Sequence, residues 1–214
     1  MSRPGQSNPW SAWLQANGPG RFQLSSKAGW DAFVNTAPRA DLAVLSRTEM
    51  AALSTEELED YTEARMVWNA NLPTVKTHQL SASFAVIDQV MASNRRDADR
   101  LRGSVVVDAS PGLGKTTIAT RYARDFHRRA YRRHGPKTAS GSQRLPVAFV
   151  PLSAGMTLKG LNQKILAFYG HPAATRASSS RLGALAVDCV TECETQLLAA
   201  AVADNAAQTI SRAG

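Results

Sequence analysis

Between residues 105 and 117 the chain reads Val105-Val106-Val107-Asp108-Ala109-Ser110-Pro111-Gly112-Leu113-Gly114-Lys115-Thr116-Thr117, and this stretch decides the fold. A β-branched apolar run comes first, a glycine-rich turn follows, and Gly114-Lys115-Thr116 opens a segment with helical periodicity. This order points backbone N–H groups of the turn and of the first helical turn at a common point, where the helix dipole adds partial positive charge. The stretch therefore predicts an anion-binding loop between a strand and a helix.

The same loop carries the side chains that a nucleoside triphosphate requires. Lys115 can reach the β- and γ-phosphates, and the hydroxyl of Thr116 can coordinate Mg²⁺. The sequence departs from the pattern G-x-x-x-x-G-K-[ST] at Ala109, where a glycine is usual, and alanine limits positive φ there without blocking the loop. We therefore predict that ATP and Mg²⁺ bind here, with Lys115 as the catalytic cation; the alternative is an accidental glycine-rich turn. The predicted cofactor-binding residues are Ala109, Ser110, Pro111, Gly112, Leu113, Gly114, Lys115, Thr116 and Thr117.

Periodicity along the 214 residues predicts an α/β fold with right-handed crossovers and a mostly parallel sheet. Ser54 and Glu57 form a predicted capping box at the start of a helix. Three regions are predicted: a loosely ordered extension (1–52), a helical lead-in (53–100) and a partial P-loop core (101–214). The predicted strands are 104–108, 146–152 and, less clearly, 195–202; the predicted helices are 54–71, 78–95, 115–133, 157–170 and 181–194.

Composition narrows the class of protein. No apolar run approaches the ~18 residues needed to cross a bilayer, and residues 1–6 have no apolar signal-peptide core, which predicts a cytoplasmic protein without a membrane partner. Cys189 and Cys193 lack the second pair that a zinc site would need, so we predict small buried side chains. The four histidines form no ligand pattern, and surface or loop positions are predicted for them: His78, His127, His134 and His171.

Hydrolysis of ATP needs an acid after an apolar strand to hold Mg²⁺, usually beside a second carboxylate. The place to look is 196–205, where Asp204 is the candidate and Asn205 cannot act as a base. The alanine-rich run from Leu198 to Gln208 nevertheless favours a helix on propensity, which would leave Asp204 an incidental surface residue. ATP binding is therefore predicted, and hydrolysis is left open.

A net charge of +8 favours polyanionic partners, and the charge is concentrated on the predicted helix 115–133. One interpretation is that its arginines follow a nucleic-acid backbone, and the other is that they form the solvated face of an amphipathic helix. The candidate nucleic-acid contacts are Arg121, Arg124, Arg128, Arg129, Arg132 and Arg133.

From about Leu53 to Leu198 the chain resembles the TniB-type ATPases of DNA transposition, a branch of the AAA+ superfamily. The resemblance is carried by Leu53-Ser54, Glu57, Tyr61, Ala64-Arg65, Trp68, Thr77-His78-Gln79-Leu80, 105–117, 147–152 and 158–170. It implies an AAA+-like P-loop NTPase with a helical N-terminal extension. It also implies an ATP-dependent regulator that forms oligomers on DNA and delivers target sites to a transposase.

The chain departs from this family near its C-terminus. The family places an acidic pair at about 197–202, where this sequence reads Leu-Leu-Ala-Ala-Ala-Val, and the family continues for many more residues. We therefore expect a core that is incomplete at the C-terminus, as in a truncated or frameshifted copy, with unpaired strand edges and a tendency to aggregate. Two other interpretations stay open: a signalling switch of the Orc-like or apoptotic-ATPase-like kind, and a non-functional remnant.

Overall fold

A computed structural model describes residues 8–18, 20, 22–94 and 103–202, which fall into two compact units. The first unit comprises Met1–Arg21 and Thr36–Val75, and the second comprises Phe22–Asn35 and Lys76–Gly214. The elements in chain order are α1 (Pro9–Asn17), α2 (Lys27–Asn35), α3 (Arg47–Ala51), α4 (Thr55–Ala70), α5 (His78–Ser93), α6 (Lys115–His134), β1 (Val147–Leu152), α7 (Leu158–Tyr169), a 3₁₀ turn (Pro172–Thr175), α8 (Ser179–Glu192) and β2 (Leu197–Val202).

The first unit is helical and contains α1, α3 and α4. The predicted capping box is confirmed at α4, since the side chain of Ser54 accepts from the backbone N–H of Glu57 while the Glu57 carboxylate accepts from the backbone N–H of Ser54. The ring of Trp10 on α1 packs 4.8 Å from that of Tyr61 on α4. The hydroxyl of Tyr61, a buried side chain, accepts from the backbone N–H of Leu45.

The sheet of the second unit contains two strands within the described residues. β1 and β2 pair in parallel, in a register that runs from Val147 opposite Leu197 to Leu152 opposite Val202. The less clearly predicted strand 195–202 is therefore confirmed from Leu197 to Val202, and the alternative helix from Leu198 onward is wrong over that stretch. Backbone pairing with β1 and packing against the core decide the outcome there, and they outweigh the helix propensity of the alanines.

The predicted strand at 104–108 is also absent, because the backbone there pairs with no strand among the described residues. Val106 is 86% exposed, and Val105 and Val107 are more than a third exposed. A β-branched run has strand propensity, but a strand exists only where a neighbour completes its hydrogen bonds. The α/β architecture is thus present as helices around a small parallel sheet.

The core of the second unit lies between α2, α6, β1, α7 and α8. Trp30 of α2 is fully buried and stacks on Phe149 of β1 with 5.8 Å between ring centroids. Leu166 and Phe168 of α7 and Leu182 of α8 are also fully buried. The predicted ends of α7 are confirmed, since Thr157 caps its first turn and Gly170 ends it in the left-handed conformation. This packing fixes the position of α6, which carries the predicted anion-binding loop.

Candidate nucleotide-binding site

The loop before α6 has the backbone conformation that its glycines permit. Gly112 and Gly114 have φ of 81° and 82°, a region that side chains with a Cβ rarely adopt. A Cβ at Gly112 would meet no atom within 4 Å, so the glycine is needed for its dihedral angle rather than for space. The two left-handed residues turn the chain sharply into the first turn of α6, as the sequence predicted.

Lys115 is bonded to the loop that precedes it. Its Nζ donates to the carbonyl oxygen of Ala109 at 2.5 Å and to that of Ser110 at 3.3 Å. The two acceptors lie six and five residues before Lys115 in the sequence, so these contacts hold the ammonium group against the loop. A phosphate oxygen that reached the same ammonium would form a stronger hydrogen bond than either neutral carbonyl, because donor and acceptor would then carry opposite charges.

Ala109, the departure from the usual pattern, fits this loop without strain. Among the described residues only Glu194 is a non-glycine with positive φ, so Ala109 adopts an ordinary negative φ. Its Cβ therefore creates no conformational penalty here, and its carbonyl serves as the main acceptor for Lys115. The alanine is compatible with the loop for this backbone reason.

The start of α6 also suits an anion. The N-cap residue Gly114 offers no side-chain acceptor, and no acidic residue lies in the first turn. The first backbone N–H groups of a helix have no partner within the helix, and the macrodipole makes this end electropositive. Thr116 and Thr117 are exposed, which leaves the Thr116 hydroxyl accessible to a metal ion. The residues present thus fit a phosphate group with a bound Mg²⁺.

The structure does not bring the candidate Mg²⁺-binding acid, Asp204, to the loop. Asp204 lies outside the described residues, two positions beyond the end of β2 at Val202. Of the predicted site the structure therefore brings together only the loop 109–117. Within the described residues no group of three or more His, Cys, Asp or Glu side chains could hold a metal ion. Cys189 and Cys193 are free thiols that pack beside the core, and burial raises the pKa of both.

The six candidate arginines of α6 do not form one exposed surface. Nε of Arg128 donates to the carbonyl oxygen of Val34 at 2.8 Å, and Nε of Arg124 donates to the same oxygen at 3.4 Å. Arg124 also lies over the ring of Phe33, 5.0 Å from its centroid. Both arginines thereby cap the C-terminal end of α2, where a positive charge is favourable.

A third candidate, Arg129, joins α6 to α5. It forms an ion pair with Asp88 at 3.3 Å, and the hydroxyl of Tyr122 donates to the same carboxylate at 2.7 Å. Burial and, to a smaller extent, this hydrogen bond raise the pKa of Tyr122. Of the remaining candidates, Arg132 and Arg133 are exposed at the end of α6 and Arg121 is half-buried near its start.

Two side chains important to this helix were not found from the sequence. The predicted surface or loop position of His127 is wrong, since the side chain is fully buried. Its place between Ala123 and Ala130, both buried on the same side of α6, was the available signal. Asp88 gave no signal, because its partners are 34 and 41 residues away in sequence.

Comparison with known proteins supports the assignment of 109–117 as a nucleotide-binding loop. A family model described as an AAA domain matches residues 98–212, which is more than half of the chain. No curated protein and no solved structure matches this chain. Within the described residues no helix is long and apolar enough to cross a membrane. With the glycine turn, Lys115 and α6 inside the matched range, the chain belongs to the AAA domain family of P-loop NTPases.

Proposed function

We propose that this chain binds ATP with Mg²⁺ at the loop 109–117 and acts as an ATP-dependent regulator of DNA transposition. The observation that carries the nucleotide part is the position of Lys115, whose ammonium group is held at a loop with two left-handed glycines. The triphosphate would lie against the first turn of α6, where Lys115 neutralises phosphate charge and Thr116 coordinates Mg²⁺. The resemblance to TniB-type ATPases supports the transposition part.

Binding of a fluorescent ATP analogue with Mg²⁺ tests the nucleotide part. Lys115→Ala removes one charge-assisted contact, for which about 1.5–3 kcal/mol is typical, so we expect affinity to fall roughly 10- to 100-fold. The matched control is Lys159→Ala, because Lys159 is exposed on α7 and its loss changes the net charge equally. Equal affinity in wild type and Lys115→Ala, or no binding by folded wild type, would refute the proposed site.

The DNA part is tested with the same protein. Duplex DNA is titrated with and without the ATP analogue at several salt concentrations, and fluorescence anisotropy reports binding. A regulator that links the two ligands binds DNA more tightly with nucleotide present, and by linkage DNA raises nucleotide affinity by the same factor. Nucleotide binding without any effect on DNA affinity would contradict the transposition proposal and favour a signalling switch.

A further inference from the structure

A buried histidine and a buried tryptophan join α2 to α6. His127 and Trp30 have no exposed surface, and the indole Nε1 of Trp30 donates to Nδ1 of His127 at 3.1 Å. The ring of Tyr131 lies against the imidazole with 4.3 Å between centroids. The contact links residues 97 positions apart, and both helices belong to the second unit.

The geometry fixes one protonation state of His127. Because Nδ1 accepts the indole proton, the imidazole carries its own proton on Nε2. Nε2 is buried and has no hydrogen-bond partner within the described part of the chain. A second proton on Nδ1 would face the Trp30 N–H donor to donor, in a site that excludes water. Burial accordingly lowers the pKa of His127 to about 4.

The charged groups around the imidazole do not reverse this preference. On α2, Asp31 favours the protonated form, but its effect is smaller than that of burial. On α6, Arg124 and Arg128 bring positive charge to the same interface through their bonds to the Val34 carbonyl. Tyr131, against the imidazole, is a neutral phenol, and the ring of Phe149 on β1, which stacks on Trp30, carries no charge. A protonated His127 is therefore unfavourable while α2 is attached.

We propose that the Trp30–His127 contact is an acid-sensitive attachment of α2 to α6, which opens when His127 is protonated. A histidine whose pKa is lowered in the folded state binds fewer protons there than when released. The attachment is therefore at full strength above the ordinary histidine pKa of about 6.5 and weakens as the pH falls from there to about 4. Opening would also release Arg124 and Arg128 from the carbonyl of Val34.

Hydrogen exchange of the full chain, followed by mass spectrometry, tests the proposal. Peptides from α2 are compared with peptides from α7 between pH 7.5 and 4.5, after correction for the intrinsic exchange rate. The two pKa values predict that protection of α2 falls on the order of 70-fold over this range. Protection of α7 is expected to change much less, because α7 contains no titratable group of this kind.

Two histidine variants separate this contact from general acid effects. His127→Gln keeps an acceptor for the Trp30 indole but cannot be protonated, so the pH dependence of α2 should disappear. His134→Gln, at an exposed histidine of the same helix, should behave like wild type. The same pH dependence in His127→Gln, or simultaneous loss of protection in α2 and α7 of wild type, would overturn the proposal.

A measurement on wild type covers the case in which His127→Gln does not fold. In ¹⁵N-edited NMR spectra, His127 should stay neutral with its proton on Nε2 down to below pH 5. A His127 that titrates with an ordinary histidine pKa while α2 remains protected would overturn the proposal.

Discussion

The segment between α6 and β1 depends on one buried arginine. Arg144 is 8% exposed, and its guanidinium forms an ion pair with Glu194, in the turn that leads into β2. The same group donates to the carbonyl oxygens of Gly135 at 3.0 Å and Lys137 at 2.8 Å. Arg144→Ala removes all three contacts, so we expect a large loss of stability from this single substitution.

The size of the loss in unfolding free energy depends on how far water can replace the hydrogen bonds that Arg144 makes. Removal of one partner from a fully buried ion pair typically costs ~3–5 kcal/mol. The side chain of Glu194 is 38% exposed and Lys137 is exposed, so water can satisfy part of what is left behind. We therefore expect Arg144→Ala to lower the free energy of unfolding by about 2–3 kcal/mol. For a chain of this size that corresponds to a fall in Tm of roughly 4–12 °C.

Urea and thermal unfolding followed by circular dichroism measure the effect. Arg144→Lys keeps the charge but loses the planar fork that reaches three acceptors, so it should recover only part of the stability. Arg176→Ala, at an exposed arginine, controls for the loss of charge. ATP-analogue binding should not change, because the 20 residues of α6 place the loop about 30 Å away and the backbone carbonyl of residue 144, which accepts from Tyr131, is kept in the variant. Stability of Arg144→Ala within ~0.5 kcal/mol of wild type would refute the reasoning.

Two further predictions concern surfaces. The outer edge of β2 has no paired strand within the described residues, and the strand carries no charge or proline that would oppose aggregation. Ala200 is exposed on this strand, so Ala200→Lys should reduce light scattering on heating with little change in Tm. Unchanged scattering would contradict a role for this edge in aggregation. If DNA lies along the end of α6, the double substitution Arg132→Ser and Arg133→Ser should lower the slope of log affinity against log salt by about 2. The matched pair Arg176→Ser and Arg181→Ser, also exposed, should leave that slope unchanged if the contact is specific to α6.

Local signals predicted the five helices α4 to α8, whereas α1, α2 and α3 lie in the stretch 1–52, for which the sequence predicts a loosely ordered extension. Ser54 with Glu57, Thr157 and Gly170 act on backbone groups a few residues away, so their effect can be inferred without knowledge of the rest of the fold. The glycines of the predicted anion-binding loop belong to the same class, because a positive φ is a property of the residue and its immediate neighbours. The candidate site could be predicted to this extent from sequence.

The errors arose where distant residues decide the structure. The strand β2, which the sequence predicts less clearly than the others, exists through its pairing with β1, 50 residues earlier, although its alanines favour a helix when considered alone. The run 104–108 shows the opposite case: its valines favour a strand, but no described neighbour pairs with it, so it forms none. His127 is buried by Trp30, on a helix almost a hundred residues earlier. Composition and periodicity contain no information on these pairings.

The long-range contacts converge on α6, and this bears on the proposed nucleotide site. At the start of α6, Lys115 donates to the loop. Near the middle of α6, Arg124 and Arg128 donate to the C-terminal end of α2. Near the end of α6, Tyr131 donates to the backbone carbonyl of Arg144. The described residues before the loop, 103–108, are in no strand, so the sheet does not fix the loop from that side. The orientation of the first turn of α6 is then set by the packing of the helix itself. The geometry that a phosphate would meet at Lys115 therefore depends on side chains that never contact the phosphate.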